Sequence, residues 1–156
     1  PLLCLEAEVV LQCRVGARRV PLSKFILGNR RTVLAPDEML TAIEVPQHLE
    51  QARSGFIKLG ARSSLVISIV MAAGVLQLDG AGRVMRAGLS VGACSEVAQR
   101  LSVLEAALVG QVPIGDLVKP EHFATLSPLD DHRGTAGYRL DAAVTLVRRL
   151  LEELSP

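Results

Sequence analysis

The chain of 156 residues has a mass of 16.6 kDa, with 49% hydrophobic and 21% charged residues, 13 glycines and 8 prolines. This ordered composition excludes a disordered tract and a collagen-like repeat. When compact it exposes about 7,600 Å² against about 24,000 Å² unfolded, enough burial for one moderate core. Seventeen basic and sixteen acidic residues leave a formal charge of +1, so no global field favours nucleic acid as a partner.

The charge is unevenly spread. Residues 1–65 carry nine Lys or Arg and six Asp or Glu, and the remainder eight and ten, so the balance passes from +3 to −2. The basic excess sits mainly in Arg14, Arg18, Arg19, Lys24, Arg30 and Arg31, which reads as a solvated rim. A phosphate- or acid-binding module built on Arg18, Arg19, Arg30 and Arg31 is a competing reading, although almost no aromatic residues accompany the patch to stack on bases. Cys4, Cys13 and Cys94 are too few and too widely spaced for a structural zinc site, and read as reduced core residues. The apolar run Leu65–Leu78 is interrupted by Ser68, Gly74 and Gln77 and is short for a bilayer span, so no membrane partner is expected. With no apolar export segment following a basic start, the expected location is the cytoplasm.

In chain order, Leu3–Cys13 alternates apolar and polar residues and predicts a strand, with Gly16 permitting reversal into a second strand around Val20. Pro21 to Gly28 predicts one helical turn opened by proline and closed by glycine. Thr32–Leu34 is extended, and Thr41–Val45 is a strand stopped by Pro46. The polar interval Gln47–Ser54 has no apolar face and reads as a boundary.

Beyond that interval, Gly55–Gly60 predicts a short strand. Val66–Leu78 reads as a long strand because of its β-branched residues, and Asp79-Gly80-Ala81-Gly82 turns it into a partner over Val84–Ala93. Ser95 is the expected cap of a helix over Glu96–Val109, ended by Gly110. Pro120–Leu126 is a second short helix. A long third, Ala136–Leu154, carries its apolar stripe on Leu140, Val144, Val147, Leu151 and Leu154.

Chemistry is sparse along this chain. Asp130-Asp131-His132-Arg133 is the densest titratable cluster, but consecutive side chains share no face, so it reads as a loop salt-bridge cluster rather than a metal or acid–base site. His48, His122 and Cys94 lack partners at useful spacing, and Gly80–Gly82 and Gly88–Gly92 lack the complete phosphate-binding fingerprints. No catalytic residue and no metal ligand are assigned. Lys58 and Arg62, at and just beyond the end of a predicted strand, suit contact with a cofactor phosphate or a carboxylate, or a solvated strand end.

Seven ordered segments carry a family resemblance: Phe25–Gly28, Thr32–Leu34, Asp37–Pro46, Phe56–Arg62, Ala87–Gly92, Glu105–Gly110 and Asp131–Arg139. Together they resemble the flavin-carrying medium subunit of molybdenum hydroxylases, the group containing xanthine dehydrogenases and carbon monoxide dehydrogenases. The resemblance implies an α+β chain in which residues 1–46 are the strand-rich end of an FAD-binding domain and 47–53 a linker. Residues 54–156 are then a C-terminal domain with a three-stranded antiparallel sheet and about three helices. It places Met39 and Leu40 against the flavin ring, gives Lys58 a basic cofactor contact, and leaves Arg62 to fold support. Ser64-Leu65-Val66 departs from the acidic residue often found after this Lys and Arg.

By the same resemblance, the Gly-rich loops that hold the FAD pyrophosphate belong to an upstream segment or chain. FAD is then shared with that segment, and residues 1–156 alone bind it weakly and are inactive. The implied role is passage of electrons from iron–sulfur centres through flavin to an acceptor. The iron–sulfur centres and the molybdenum cofactor lie in partner subunits. The alternative is a non-catalytic assembly module of such a complex, without its own flavin.

Overall fold

The computed structural model describes residues 1–156. The predicted first strand is shorter than its alternation suggests. Residues 2–6 form a turn in which the amides of Cys4 and Leu5 donate to the Pro1 carbonyl, and Glu6 adopts φ 55°. Pairing begins at Glu8. Alternation cannot separate a strand from a turn whose apolar residues pack individually, and Cys4 packs away from the strand, against Leu49, Ala73 and Val75.

Strand β1 (Glu8–Cys13) pairs antiparallel with β2 (Gly16–Pro21), as the hairpin at Gly16 predicts. A four-residue helix α1 (Leu22–Phe25) follows, then the small hairpin β3 (Ile26–Gly28) and β4 (Arg31–Thr32). Strand β5 (Met39–Glu44) returns to the other edge of β1, giving the order β2-β1-β5. It starts two residues before the predicted strand and takes in both Met39 and Leu40. Val9, Leu11, Val20 and Phe25 form the small core beneath this sheet.

The second sheet comprises β6 (Arg53–Leu59), β7 (Val70–Leu78), β8 (Val84–Gly92) and β9 (Gln99–Arg100), antiparallel and in chain order. Its three long strands are the expected three-stranded antiparallel sheet, extended at one edge by a two-residue strand. Two helices, α2 (Ser102–Leu108) and α3 (Ala136–Leu154), complete the α+β architecture. Thr135 caps α3 by accepting the Tyr138 amide. Twenty-one residues from β7, β8, α2, α3 and the intervening turns form the main core, with Leu104, Leu108, Leu150 and Leu151 fully buried. Gly74 lets α3 settle onto β7, because a Cβ there would lie within 3.0–3.1 Å of Leu89, Leu150 and Leu154.

Two expected elements are displaced. β7 begins at Val70, four residues late, because the Ile69 amide donates to the Leu59 carbonyl and closes residues 60–68 into a loop. The helix expected from Glu96 begins at Ser102, because Gln99 and Arg100 pair with β8 instead. Ser95 consequently caps nothing; its hydroxyl bonds the Cys94 carbonyl and accepts the Ser127 amide. Pro120–Phe123 is a single 3-10 turn.

The two sheets meet through a mixed junction. Glu6 pairs with Arg86 at 3.0 Å and with Arg100 at 3.6 Å, and Arg100 makes a two-pronged pair with Glu105 at 2.7 and 2.9 Å. Gly88 admits the Cys4 carbonyl, which a Cβ would meet at 2.3 Å. No helix is long and apolar enough to cross a membrane.

Candidate functional site

Met39 and Leu40 open the edge strand β5, all six residues of which are exposed. Met39 is 68% and Leu40 37% exposed, and Ile43 and Val45 continue the uncovered apolar row. The register places Leu40 beside Leu11 and Met39 beside Gln12. Adjacent strand residues point to opposite faces, so Leu40 lies on the Val9 and Leu11 face and Met39 on the other. One flat ring can therefore rest on the side chain of only one of them within a single face.

Lys58 lies in β6, next to the start of the 60–68 loop. Its Nζ donates to the Val66 carbonyl at 2.7 Å, while an Arg62 guanidinium nitrogen donates to the Leu65 carbonyl. Both cations thus brace the loop, whose tip residue Leu65 sits at φ 50° with its side chain in solvent. A lysine ammonium has three donors and an arginine five, so each retains donors after bracing. They line a 410 Å³ cavity with Leu59, Gly60, Ser63 and Val66, a set without any carboxylate. Met39 and Leu40 are not among these lining residues.

A larger cavity of 740 Å³ lies at the junction of the two sheets, where Glu6, Glu8, Glu44 and Glu105 face a single Arg100. Its net negative lining disfavours phosphate. Cys4 and Cys94 are buried thiols whose burial pushes them up, Cys94 to about 11, so neither is a ready nucleophile. The Asp130–Arg133 cluster is the expected loop salt-bridge system. Asp131 pairs with Arg133 and Arg139, each at 2.7 Å, and its carboxyl is lowered to about 2 by the Arg133 amide and then the Arg139 guanidinium.

Residues 56–154 match the family described as CO dehydrogenase flavoprotein C-terminal domain, and residues 1–48 match the FAD binding domain in molybdopterin dehydrogenase. The chain belongs to the CO dehydrogenase flavoprotein family. It is 28% identical over 153 residues to the 6-hydroxypseudooxynicotine dehydrogenase complex subunit alpha of Paenarthrobacter nicotinovorans, covering 96% of this chain and 51% of that protein. It is 31% identical over 109 residues to the nicotinate dehydrogenase FAD-subunit of Eubacterium barkeri, covering 68% and 37%. The fold superposes on a chain of the reconstituted CO dehydrogenase from Oligotropha carboxidovorans with a TM-score of 0.90 and 27% identity, over 98% of this chain and 54% of that one. The matched stretch thus spans about half of the first of these curated relatives and little more than a third of the second.

Membership of this flavoprotein family implies FAD, and two separate features of the chain, on different sheets, bear on its ring. The exposed apolar edge at Met39 and Leu40 is of a kind that suits an aromatic face, and a lysine without a carboxylate partner is of a kind that suits an electron-rich ring edge. For a phosphate, the 740 Å³ cavity is acid-lined, whereas the 410 Å³ cavity beside Lys58 carries two loop-bracing cations and no carboxylate. Among residues that sequence reasoning passed over, Arg139 and Arg100 matter most. Arg139 was legible as a buried position, because 139, 143, 146, 150 and 154 step by four, three, four and four along α3. Arg100 gave no such signal, since a two-residue strand has no period.

Proposed function

We propose that this flavoprotein-family chain supplies the ring-side wall of a flavin site in the electron-transfer subunit of a molybdenum hydroxylase. The observation that carries the reading is the superposition over 98% of the chain, which keeps both matched regions in one arrangement. Residues 1–46 form the tail of the FAD-binding domain, 47–53 the linker and 54–156 the C-terminal domain. Flavin, when bound, accepts and releases electrons singly or in pairs. Leu40 or Met39 lies against the ring and excludes water from it, while Lys58 donates from its remaining N–H groups to an electron-rich ring edge. The pyrophosphate is held by an upstream segment or chain.

In this reading electrons reach flavin from iron–sulfur centres in one partner, supplied by a molybdenum-cofactor subunit that oxidises the substrate, and leave to a separate acceptor in the cytoplasm. Lys58→Ala in the native complex is expected to lower flavin content and leave the recovery of partner chains unchanged. Undiminished flavin content and electron transfer would reject Lys58 as a contact.

A second reading is an assembly module without its own flavin. It is favoured by the Lys58 bond to the Val66 carbonyl and by the acid lining of the 740 Å³ cavity. A native preparation with every associated chain recovered and no flavin absorbance would establish it.

A further inference from the structure

One buried cation is not used by the proposed flavin contact. Arg139, in the first turn of α3, is 3% exposed. Its Nη1 donates to the Ile69 carbonyl at 2.5 Å and to the Ala93 carbonyl at 3.2 Å, and its Nη2 donates to Asp131 Oδ1 at 2.7 Å. Its Nε has no partner. A buried guanidinium stabilises a fold no better than a well-packed apolar residue of similar volume. Packing alone therefore gives no reason for an arginine here, least of all one with an orphaned donor.

The planar fork does something an apolar residue cannot: it grips three separate pieces of backbone and side chain at once. Ile69 is the base of the 60–68 loop, since its amide donates to the Leu59 carbonyl at 2.8 Å. Arg139 holds the same residue by its carbonyl. Ala93, just beyond β8, sits at φ 64°, a left-handed conformation that alanine adopts only under constraint, and the same guanidinium nitrogen bonds its carbonyl.

Asp131 orients the fork and is itself fixed by the Arg133 amide at 2.8 Å. Asp130 accepts the Ala136 amide at 2.6 Å and ties this loop to the start of α3. Lys58 precedes Leu59 and bonds Val66, so its amino group follows the position of the loop.

We infer that Arg139, oriented by Asp131, is a positioning residue: it clamps the base of the 60–68 loop and thereby sets where the Lys58 amino group stands. As a statement about flavin this rests on the proposed contact of Lys58. It touches neither ring nor substrate itself, and acts through Ile69 and the loop.

The experiment compares wild type, Arg139→Lys, Asp131→Asn and Lys58→Ala in the native protein with its associated chains and flavin. Two quantities are measured: hydrogen–deuterium exchange of the amides at 60–68 relative to those of β7 and β8, and the visible band and reduction potential of the flavin. A lysine at 139 keeps a charge opposite Asp131 but has one nitrogen and cannot span Ile69 and Ala93. Arg139→Lys should speed exchange in the loop by about tenfold or more while β7 and β8 stay unchanged, and should move the flavin band in the same direction as Lys58→Ala.

Loop exchange that is unchanged, or that rises equally across the sheet, overturns the inference. So does a band that moves with Lys58→Ala but not with Arg139→Lys, an outcome that leaves the flavin contact standing. A band moved by neither variant rejects the Lys58 contact, and the inference falls with it. If Arg139→Lys does not fold, Asp131→Asn decides instead. It keeps the carbonyl bonds and removes the orienting carboxylate, so it should give a smaller loop effect and a band shift of the same sign.

Discussion

The two sheets are held by different means. The C-terminal sheet carries a 21-residue core against α2 and α3, whereas the N-terminal sheet has a four-residue core and an edge strand exposed along its whole length. The accessible surface of 9230 Å² exceeds the value of about 7,600 Å² for a compact chain of this mass. The difference between the halves teaches that the second can stand on its own apolar burial. The first depends on docking, through Cys4 and Leu49 onto β7 and through Glu6 onto Arg86 and Arg100.

The hardest way to break this comparison is to open the larger core. Leu151 is fully buried in the main cluster, so Leu151→Ala should cost about 2–5 kcal/mol. Because the N-terminal sheet leans on the C-terminal one, both should lose structure at a lower temperature, measured by near-ultraviolet and far-ultraviolet circular dichroism together. Separate midpoints, with the first sheet unaffected, would mean that its four-residue core is enough.

Gly88→Ala attacks the junction alone. The new Cβ would sit 2.3 Å from the Cys4 carbonyl and 2.9 Å from Val75 Cγ1, and a backbone atom in the way cannot swing aside as a side-chain tip can. About 1–3 kcal/mol of overpacking is expected, released by lifting residues 1–7 from β8. Limited proteolysis should then cut near the amino end and around 47–53 while the 54–156 portion stays intact. Resistance equal to wild type at both places would show that the turn absorbs the clash.

The sequence yields much of this division and little of its mechanism. Strand and helix identities followed from periodicity where runs were long: α3 begins and ends at the expected residues, and the β7–β8 pair falls around the Asp79–Gly82 turn. Short elements failed. Residues 3–6 alternate like a strand but fold as a turn because Glu6 is gripped by two arginines from distant strands, and Gln99–Arg100 leaves the expected helix because a sheet edge offered it partners. Such competition is tertiary and leaves no local pattern.

The candidate site is legible to a similar degree. Residue type marked Lys58 as a lone strand-end cation, and resemblance marked Met39 and Leu40. Only the register reveals that those two point to opposite faces, and only the packed structure reveals that Lys58 braces its own loop.

Acid acts more gently and on both halves, since the Arg18 guanidinium lowers Glu38 to about 2 on the N-terminal side as well. The Asp131 carboxyl is lowered to about 2, first by the Arg133 amide and then by Arg139. A carboxyl depressed on folding contributes stability above its unfolded value, near 3.9, and loses that contribution as pH falls through the folded value. The slope should therefore lie between about pH 4 and pH 2. Asp131→Asn should flatten it for the C-terminal sheet in urea titrations followed across that range. An unchanged slope would place the acid sensitivity in other carboxylates.

The smallest effect should come from the ion pair lying across the open sheet. Arg19 and Glu44 meet at 2.7 Å on opposite edges of β1, both largely in solvent. Two long side chains held in water gain little Coulomb energy and lose rotamer freedom, and salt screens what remains. Arg19→Ala should leave the unfolding midpoint of the chain within error of wild type at moderate salt, even though the bond length is as short as that of the Arg100–Glu105 pair at the junction. A clear loss for Arg19→Ala, matching that of Arg100→Ala, would mean that the N-terminal sheet draws its stability from its rim after all. The contrast between a core-built and a docked half would then have to be redrawn around surface charge.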